Sequence, residues 1–155
     1  MAHFAEIKSD NNEILRVVVI HNKDVDNNGG ELSTTAETWV SNNIPQDEII
    51  KKKNEGVYPN TYWKQCSYNN NFRGRFAFTG GTYDSVNDIF VEPKPFPSWI
   101  LQDNKCQWKA PIDKPDNTGY STCVWYEEDQ KWKATKNGVL YEHNGTSWNE
   151  VILAL

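Results

Sequence analysis

Apolar and polar residues alternate near the start of the chain, and a longer apolar run follows a short polar gap. Residues 3–7 alternate between the two classes, and residues 13–20 are a β-branched run of strand length. Residues 9–12, Ser-Asp-Asn-Asn, have the composition of a turn. This pattern predicts a β-hairpin at the beginning of the chain.

The next predicted elements are helical. Thr34, followed three residues later by Glu37, matches a capping box, with Thr34 as the N-cap of a short helix over about 35–43. In the segment 46–53 acidic residues come first and lysines last, which complements a helix dipole. The sequence therefore predicts one or two short helices within about 34–55.

Aromatic residues dominate the middle of the chain, where strands are predicted on both sides of an asparagine-rich loop. The predicted strands are residues 62–68 and residues 75–78. Pro93, Pro95 and Pro97 follow, and this stretch cannot be a central strand because proline fixes φ and removes the amide donor. We predict a stiff, extended connector on the protein surface.

One spacing recurs in the second half of the chain, where two large apolar residues stand seven positions apart with polar turn residues between them. The four copies are Tyr83 to Phe90, Leu101 to Trp108, Trp125 to Trp132 and Tyr141 to Trp148. A strand, a turn and a return strand would bring the end residues opposite each other, and cross-strand aromatic pairs stabilise such hairpins. Because a single hairpin is marginally stable, we expect these hairpins to pack together or against a partner.

These elements predict a mainly β protein made of antiparallel hairpins with aromatic cross-strand pairs, plus one or two short helices. Residues 1–98 hold the N-terminal hairpin, the short helical insertion and the aromatic strands. Residues 99–155 hold the hairpin repeats. The two segments would form two small domains or pack as a single domain.

Composition and charge narrow the function classes. Only 37% of the 155 residues are hydrophobic, so 7 Trp, 7 Tyr and 6 Phe carry much of the available apolar surface. The net charge of −5 differs from the strongly basic character of nucleic-acid-binding domains. No stretch has the ~18 apolar residues of a membrane span, and no secretory signal is visible. We expect a protein made in a cytoplasm that binds neither nucleic acid nor membrane.

Candidate metal and catalytic groups are few. Residues 22–30 are predicted to form a polar loop, within which Asp24, Asp26 and Asn28 copy the first half of a calcium-binding loop. Thr35 stands where such a loop has its bidentate glutamate, so an acidic surface turn is preferred over a calcium site. The three cysteines are predicted to be free and mostly buried. No zinc-ligand spacing, phosphate-binding loop or nucleophile motif occurs, and we predict no catalytic residue, metal or cofactor.

Several blocks of the sequence resemble those of small, uncharacterised proteins of marine and cyanobacterial tailed bacteriophages. The matching blocks are Met-Ala-His-Phe-Ala at 1–5, Trp-Lys-Gln-Cys-Ser-Tyr-Asn at 63–69, the glycine-rich aromatic segment 76–84, Pro-Lys-Pro-Phe-Pro-Ser-Trp at 93–99 and Cys-Gln-Trp-Lys-Ala-Pro at 106–111. The segment from about 29 to 60 departs from the family pattern. The resemblance implies a protein of the virion or associated with it, and it carries over no catalytic residue.

The first hypothesis is therefore a structural, non-catalytic component of a bacteriophage virion. It would bind major capsid or tail subunits in multiple copies, as a decoration or cement protein of the capsid or as an accessory tail protein. Candidate contact residues are Arg73 and Arg75, in the one compact basic segment, and Phe96 and Trp99, in the proline connector.

The second hypothesis is a carbohydrate-binding adhesin on the phage particle that contacts the host surface. It requires two or three coplanar, exposed aromatic side chains and glycan binding by the isolated protein. The first hypothesis instead requires an aromatic surface that is buried at a subunit contact. Because the chain has few aliphatic residues, we expect most of its seven tryptophans to lie in the core.

Overall fold

A computed structural model describes residues 1–152, which form short helices and antiparallel strands. The helices are α1 (Asn22–Asn27), α2 (Thr34–Asn43) and α3 (Glu48–Lys53). The strands are β1 (Ala2–Lys8), β2 (Ile14–Ile20), β3 (Thr61–Cys66), β4 (Thr82–Asp84), β5 (Ile89–Val91), β6 (Ile100–Leu101), β7 (Trp108–Lys109), β8 (Val124–Tyr126), β9 (Lys131–Lys136), β10 (Val139–His143) and β11 (Trp148–Glu150). The predicted mainly β class is confirmed.

The chain divides into two compact units. Unit 1 comprises residues 1–93 together with residues 103–107, and unit 2 comprises residues 94–102 together with the chain from 108 onward. The short second segment of unit 1 is the turn that joins β6 to β7.

The predicted N-terminal hairpin is present and forms most of the sheet of unit 1, whose strand order is β2-β1-β3. On the central strand, Phe4 lies opposite Val18 of β2 and opposite Gln65 of β3. Because side chains alternate between the two faces of a strand, successive residues of β1 enter different apolar clusters. Phe4 belongs to one cluster and Ala5 to the other.

Each face of this sheet is covered by a different part of the chain. On one face, α1 contributes Val25 and α2 contributes Ala36 and Val40, and they pack with Phe4 and Trp63. The opposite face carries a cluster of buried residues from the sheet and from the segment 77–90. Its members are Ala5, Ile7, Ile14, Cys66, Ala77, Tyr83 and Phe90. Unit 1 thus has apolar packing on both sides of one sheet.

Two predicted helices are present as α2 and α3, but the N-cap of α2 is Ser33 and the prediction of Thr34 is wrong. The Ser33 hydroxyl oxygen accepts a hydrogen bond from the backbone N–H of Ala36 at 3.0 Å. The carboxylate of Glu37 is buried and pairs with Arg73. It therefore serves the tertiary structure and closes no capping box.

Two local predictions are wrong. The predicted loop at 22–30 contains helix α1, which His21 caps and which buries Val25. The predicted strand at 75–78 does not form. Arg73 and Gly74 have φ values of 54° and 75°, which turn the chain, and the N–H of Phe76 donates to the Asn70 side chain at 2.6 Å.

Three of the four spaced repeats place their end residues directly opposite each other. The opposed pairs are Tyr83 with Phe90, Leu101 with Trp108 and Trp125 with Trp132. The ring centroids are 5.2 Å apart in the first pair and 5.3 Å apart in the third.

The fourth repeat differs from the prediction, because Trp148 lies opposite His143 and Tyr141 lies opposite Glu150. The Asn144 side-chain oxygen accepts hydrogen bonds from the backbone N–H groups of Thr146 and Ser147. With this local turn, the residue opposite Tyr141 lies two positions further along the chain than the repeat spacing implies.

Strands β8 to β11 form a four-stranded antiparallel sheet in unit 2, in the order β11-β10-β9-β8. Its core is rich in tryptophan. The buried members are Ala110, Cys123, Trp125 and Trp132, with Phe96, Trp99, Ile112 and Trp148 packed against them. The proline connector has no helix or strand at residues 92–99, and its three prolines are exposed, as predicted. The predicted extended backbone is wrong at its end, because the N–H of Trp99 donates to the carbonyl of Phe96 at 3.1 Å and turns the chain.

The remaining sequence predictions concern cysteines and tryptophans. Cys66, Cys106 and Cys123 are free and buried, as expected. All seven tryptophans are buried or half-buried. No helix within residues 1–152 has the length and apolar character needed to cross a membrane.

Candidate interaction surfaces

Arg73, a predicted contact residue, lies within a polar network of unit 1. Its Nε donates to Asp88 at 2.7 Å, and its Nη1 donates to the Gln65 carbonyl at 2.8 Å and to Glu37 at 3.1 Å. The side chain is only 8% exposed. Burial alone would lower the pKa of Arg73, but the hydrogen bond to Asp88 and the charges of Glu37 and Asp88 raise it. Arg73 directs these donors within the protein, and its contact with a partner stays a prediction.

Arg75 is held by fewer partners and lies nearer the surface. Its Nη1 pairs with Glu92, and its guanidinium carbon lies 4.9 Å from the centroid of the Phe78 ring. Its Nε is buried and donates to no acceptor within residues 1–152. Arg75 is thus fixed in position, and its contact with a partner stays a prediction.

Phe96 and Trp99 lie in unit 2, where they pack on its core. The Phe96 and Trp99 rings are 5.5 Å apart, and the Trp99 ring lies 6.2 Å from that of Trp132. Between them, Ser98 donates hydrogen bonds to Glu127 from its backbone N–H at 2.8 Å and from its hydroxyl at 2.6 Å. The proline connector is therefore anchored to unit 2, and a role of Phe96 and Trp99 in binding stays a prediction.

A row of four rings lies on unit 1, and we call it the aromatic strip: His3, Tyr68, Phe76 and Phe78. His3 lies 5.6 Å from Tyr68 and 5.5 Å from Phe76, and Phe76 lies 5.8 Å from Phe78. Tyr68 is 70% exposed and Phe78 is 43% exposed. The strip combines β1, the end of β3 and the segment after Gly74, so it joins parts of the chain far apart in sequence.

The rings of the strip do not form a flat platform. Only His3 and Tyr68 are near parallel, with 24° between their planes. Tyr68 and Phe76 are inclined at 72°, and Phe76 and Phe78 at 88°. The strip therefore offers an uneven apolar surface, whereas the adhesin hypothesis requires coplanar exposed rings.

A cleft of about 230 Å³ opens beside Tyr68, and we call it the Tyr68 cleft. The polar side chains that line it include Asn22, Asp26, Glu31, Gln65 and Asn71. Asp26 and Glu31 form no ion pair within residues 1–152. The Gln65 oxygen accepts from the N–H of Leu32 at 2.7 Å, which leaves its amide nitrogen as a donor. The cleft thus presents donors and acceptors next to an exposed ring.

Strand β8 is an edge strand of the sheet in unit 2. Strand β8 pairs only with β9 among the described strands, and its outward-facing residues Val124 and Tyr126 are exposed. Trp125, between them, is buried in the core. Lys133 lies 4.7 Å from the centroid of the Tyr126 ring. Such an edge presents backbone donors and acceptors together with apolar side chains.

The titratable groups most affected by burial are thiols and phenols. Burial raises the pKa of Cys66 to about 11, and it raises the pKa values of Cys106 and Cys123 above their usual range. Burial and the hydrogen bond to Asp88 raise the pKa of Tyr83. These groups stay protonated near neutral pH.

The calcium-like pattern lies on and beside α1, where the Asn28 side chain donates to the carbonyl of Asp24 at 2.6 Å. Among residues 1–152, no three or more His, Cys, Asp or Glu side chains are grouped so that they could hold a metal ion.

The chain matches no protein-family model, no curated protein and no solved structure.

Proposed function

We propose that this protein is a non-catalytic structural component of a bacteriophage particle and that it binds neighbouring particle proteins through the aromatic strip. The resemblance of several sequence blocks to those of small phage proteins supports the location, as decoration of the head or as an accessory part of the tail. The binding role is proposed from the aromatic strip. Aromatic residues are enriched where protein interfaces derive most of their binding energy.

The strip is suited to binding because its exposed rings are held in place. Tyr68 is stacked on His3 and touches Phe76, while Phe78 contacts Phe76 and Arg75. Rigid rings lose little conformational entropy on association, so the apolar area that a partner covers contributes more to affinity. An uneven surface also favours one complementary partner.

The edge of β8 provides a second contact of a different kind. A partner strand could extend the sheet of unit 2, with main-chain hydrogen bonds supplying affinity and Val124 and Tyr126 supplying specificity. Each contact would be weak by itself. In a particle with many copies, simultaneous contacts raise the effective concentration and hold the protein in place.

The direct test is the protein content of purified particles, measured by quantitative mass spectrometry. Particles assembled with the wild-type protein should contain it at a fixed ratio to the major capsid protein. The double variant Tyr68→Ala/Phe78→Ala should be depleted at least tenfold, because about 2 kcal/mol or more is typical for loss of a hot-spot aromatic. Val86→Ala is the matched control, since Val86 is 92% exposed but lies outside the strip.

Two results would argue against the proposal. One is purified particles that contain no trace of the protein. The other is a double variant that folds and is incorporated as well as the Val86→Ala control.

A second candidate function, glycan binding by an adhesin on the particle, is favoured by the Tyr68 cleft. The cleft sets donors and acceptors beside an aromatic face, and sugars offer hydroxyl groups and apolar C–H faces to such a site. One free ring face would accommodate a single sugar unit. This arrangement differs from the row of coplanar rings that the hypothesis first required.

Titration with methyl glycosides of glucose, galactose, mannose and N-acetylglucosamine, followed by amide NMR shifts, tests this function. Binding of at least one glycoside should shift signals at Gln65, Tyr68 and Asn71, and Asp26→Ala should weaken it. Phe78→Ala should leave it unchanged, because Phe78 does not line the cleft. Absence of saturable shifts with all four glycosides would exclude this reading of the cleft.

A further inference from the structure

We propose that a second cleft of unit 1 binds the carboxylate of an acidic side chain of a partner protein. The cleft has a volume of about 250 Å³ and is lined by Asn70, Gly74, Arg75, Asn104, Cys106 and Gln107, and we call it the Gln107 cleft. The nature of the partner rests on the proposed function, whereas the preference for a carboxylate rests on the side chains of the cleft.

Backbone N–H groups fix the orientation of two side-chain amides in this cleft. The N–H of Phe76 donates to the Asn70 side chain at 2.6 Å, and the N–H groups of Cys106 and Gln107 donate to the Asn104 side chain at 3.0 and 3.2 Å. A backbone N–H can only donate, so each of these amides must turn its oxygen toward the backbone. The NH₂ group of each amide is then directed away from that bond.

The orientation of Asn104 in turn determines that of Gln107. The Asn104 nitrogen donates to the Gln107 side-chain oxygen at 2.9 Å. Gln107 is thereby left with its own NH₂ group as the free end. The side-chain oxygens of Asn70, Asn104 and Gln107 are therefore all engaged, and both Asn70 and Gln107 retain free N–H donors.

Arg75 adds a positive charge to the lining of the same cleft. Its Nη1 is bound to Glu92, and its buried Nε has no acceptor within residues 1–152. Because Nε is not accessible to solvent, a carboxylate in the cleft would be attracted by the positive charge of the guanidinium and not by this N–H.

The amide NH₂ groups of Asn70 and Gln107 thus remain as free donors in the cleft, whereas each amide oxygen of the cleft already accepts at least one hydrogen bond. A ligand that can only accept hydrogen bonds fits this set, and an ionised carboxylate is such a group. Because Arg75 already shares its charge with Glu92, the site suits a monoanion better than a phosphate dianion. In a protein contact, the matching group is the side chain of Asp or Glu.

Acetate is the probe for this site, and the side-chain NH₂ signals of Asn70 and Gln107 in a two-dimensional NMR spectrum are the readout. Both signals should shift in a saturable way. Gln107→Glu should weaken acetate binding roughly tenfold or more, because it replaces a donor with a negative charge. The new carboxylate can still accept the Asn104 hydrogen bond, so the local fold is kept. Gln46→Glu makes the same chemical change at an exposed position of unit 1 and should leave binding unchanged.

Other outcomes would overturn the inference. Acetate shifts that are absent from both NH₂ signals, or that persist unchanged in Gln107→Glu, would show that the cleft is no carboxylate site. Binding of inorganic phosphate tenfold more tightly than acetate would assign the cleft to a phosphate ligand. These results do not depend on whether the protein is found in phage particles, so the inference and the proposed function can fail separately.

Discussion

Glu6 is 2% exposed, and three side chains donate hydrogen bonds to its carboxylate. Arg16 Nε donates at 2.6 Å, the Tyr58 hydroxyl at 2.9 Å and the Thr61 hydroxyl at 2.8 Å. A buried charge is stable only when such partners replace the water that it has lost. This residue therefore ties β1 to β2, to β3 and to the segment before β3.

We predict that Glu6→Ala lowers the free energy of unfolding by about 3 kcal/mol, because three donors lose their acceptor, one of them a half-buried arginine. Urea unfolding followed by circular dichroism measures the change. Asp10→Ala is the control, since Asp10 is exposed and pairs with Lys8 at 3.2 Å. Its loss should stay below about 0.5 kcal/mol. Equal losses in the two variants would contradict the role of Glu6.

Two of the hairpins close with the same unusual backbone conformation. The four-residue turns at 85–88 and 127–130 both end in a residue with positive φ, Asp88 at 51° and Gln130 at 52°. This left-handed conformation costs a residue with a β-carbon about 1 kcal/mol relative to glycine. Asp88 also accepts a hydrogen bond from Arg73, so its substitution would remove a tertiary contact as well. Of these two positions, Gln130 is therefore the one where a substitution tests the backbone cost alone.

Gln130→Gly should therefore stabilise the protein, by roughly 0.5–1 kcal/mol. Glu128→Gly, in the same turn, should destabilise it, because φ at Glu128 is not positive and glycine only adds freedom to the unfolded chain. Thermal unfolding of the wild type and of both variants measures whether each substitution raises or lowers the stability. If Gln130→Gly were destabilised, the Gln130 side chain would contribute more to stability than its positive φ costs.

Elements were predictable from the sequence where local residues determine them. The repeats at 83–90 and 125–132 depend on ring spacing and turn residues, and both pair as expected. Asn137-Gly138 joins β9 to β10 with φ values of 52° and 78°, and this dipeptide is itself a strong hairpin signal that the repeat spacing does not include. Helix α1 was not predictable, because its formation depends on burial of Val25 against a sheet.

The interaction surfaces were harder to predict than the elements. The polar neighbours of Arg73 in sequence predict a surface residue, yet its partners Glu37 and Asp88 come from distant segments. The aromatic strip likewise joins His3 to Tyr68 and Phe76 across the sheet. The sequence around each of these residues does not predict that their rings meet. The rings come together only because β1 pairs with β3.

At the scale of the whole molecule, the two units have separate apolar cores. Ile7 and Cys66 belong to one core cluster, and Trp132 and Cys123 belong to another in the second unit. The clusters share no residue. Each unit thus buries its own apolar surface, and each contains a thiol that reports on its opening.

We therefore predict that the two thiols become reactive through separate opening events. Iodoacetamide labelling at about pH 8 in moderate urea requires exposure of the thiol, because burial excludes the reagent and keeps the thiol protonated. Ile7→Ala should accelerate labelling of Cys66 and leave Cys123 unchanged, since a cavity destabilises only its own core. Trp132→Phe, which removes the hydrogen bond to the Ile112 carbonyl, should do the reverse. Mass spectrometry of the labelled peptides resolves the two rates, and if either variant accelerated both equally, the units would unfold as one.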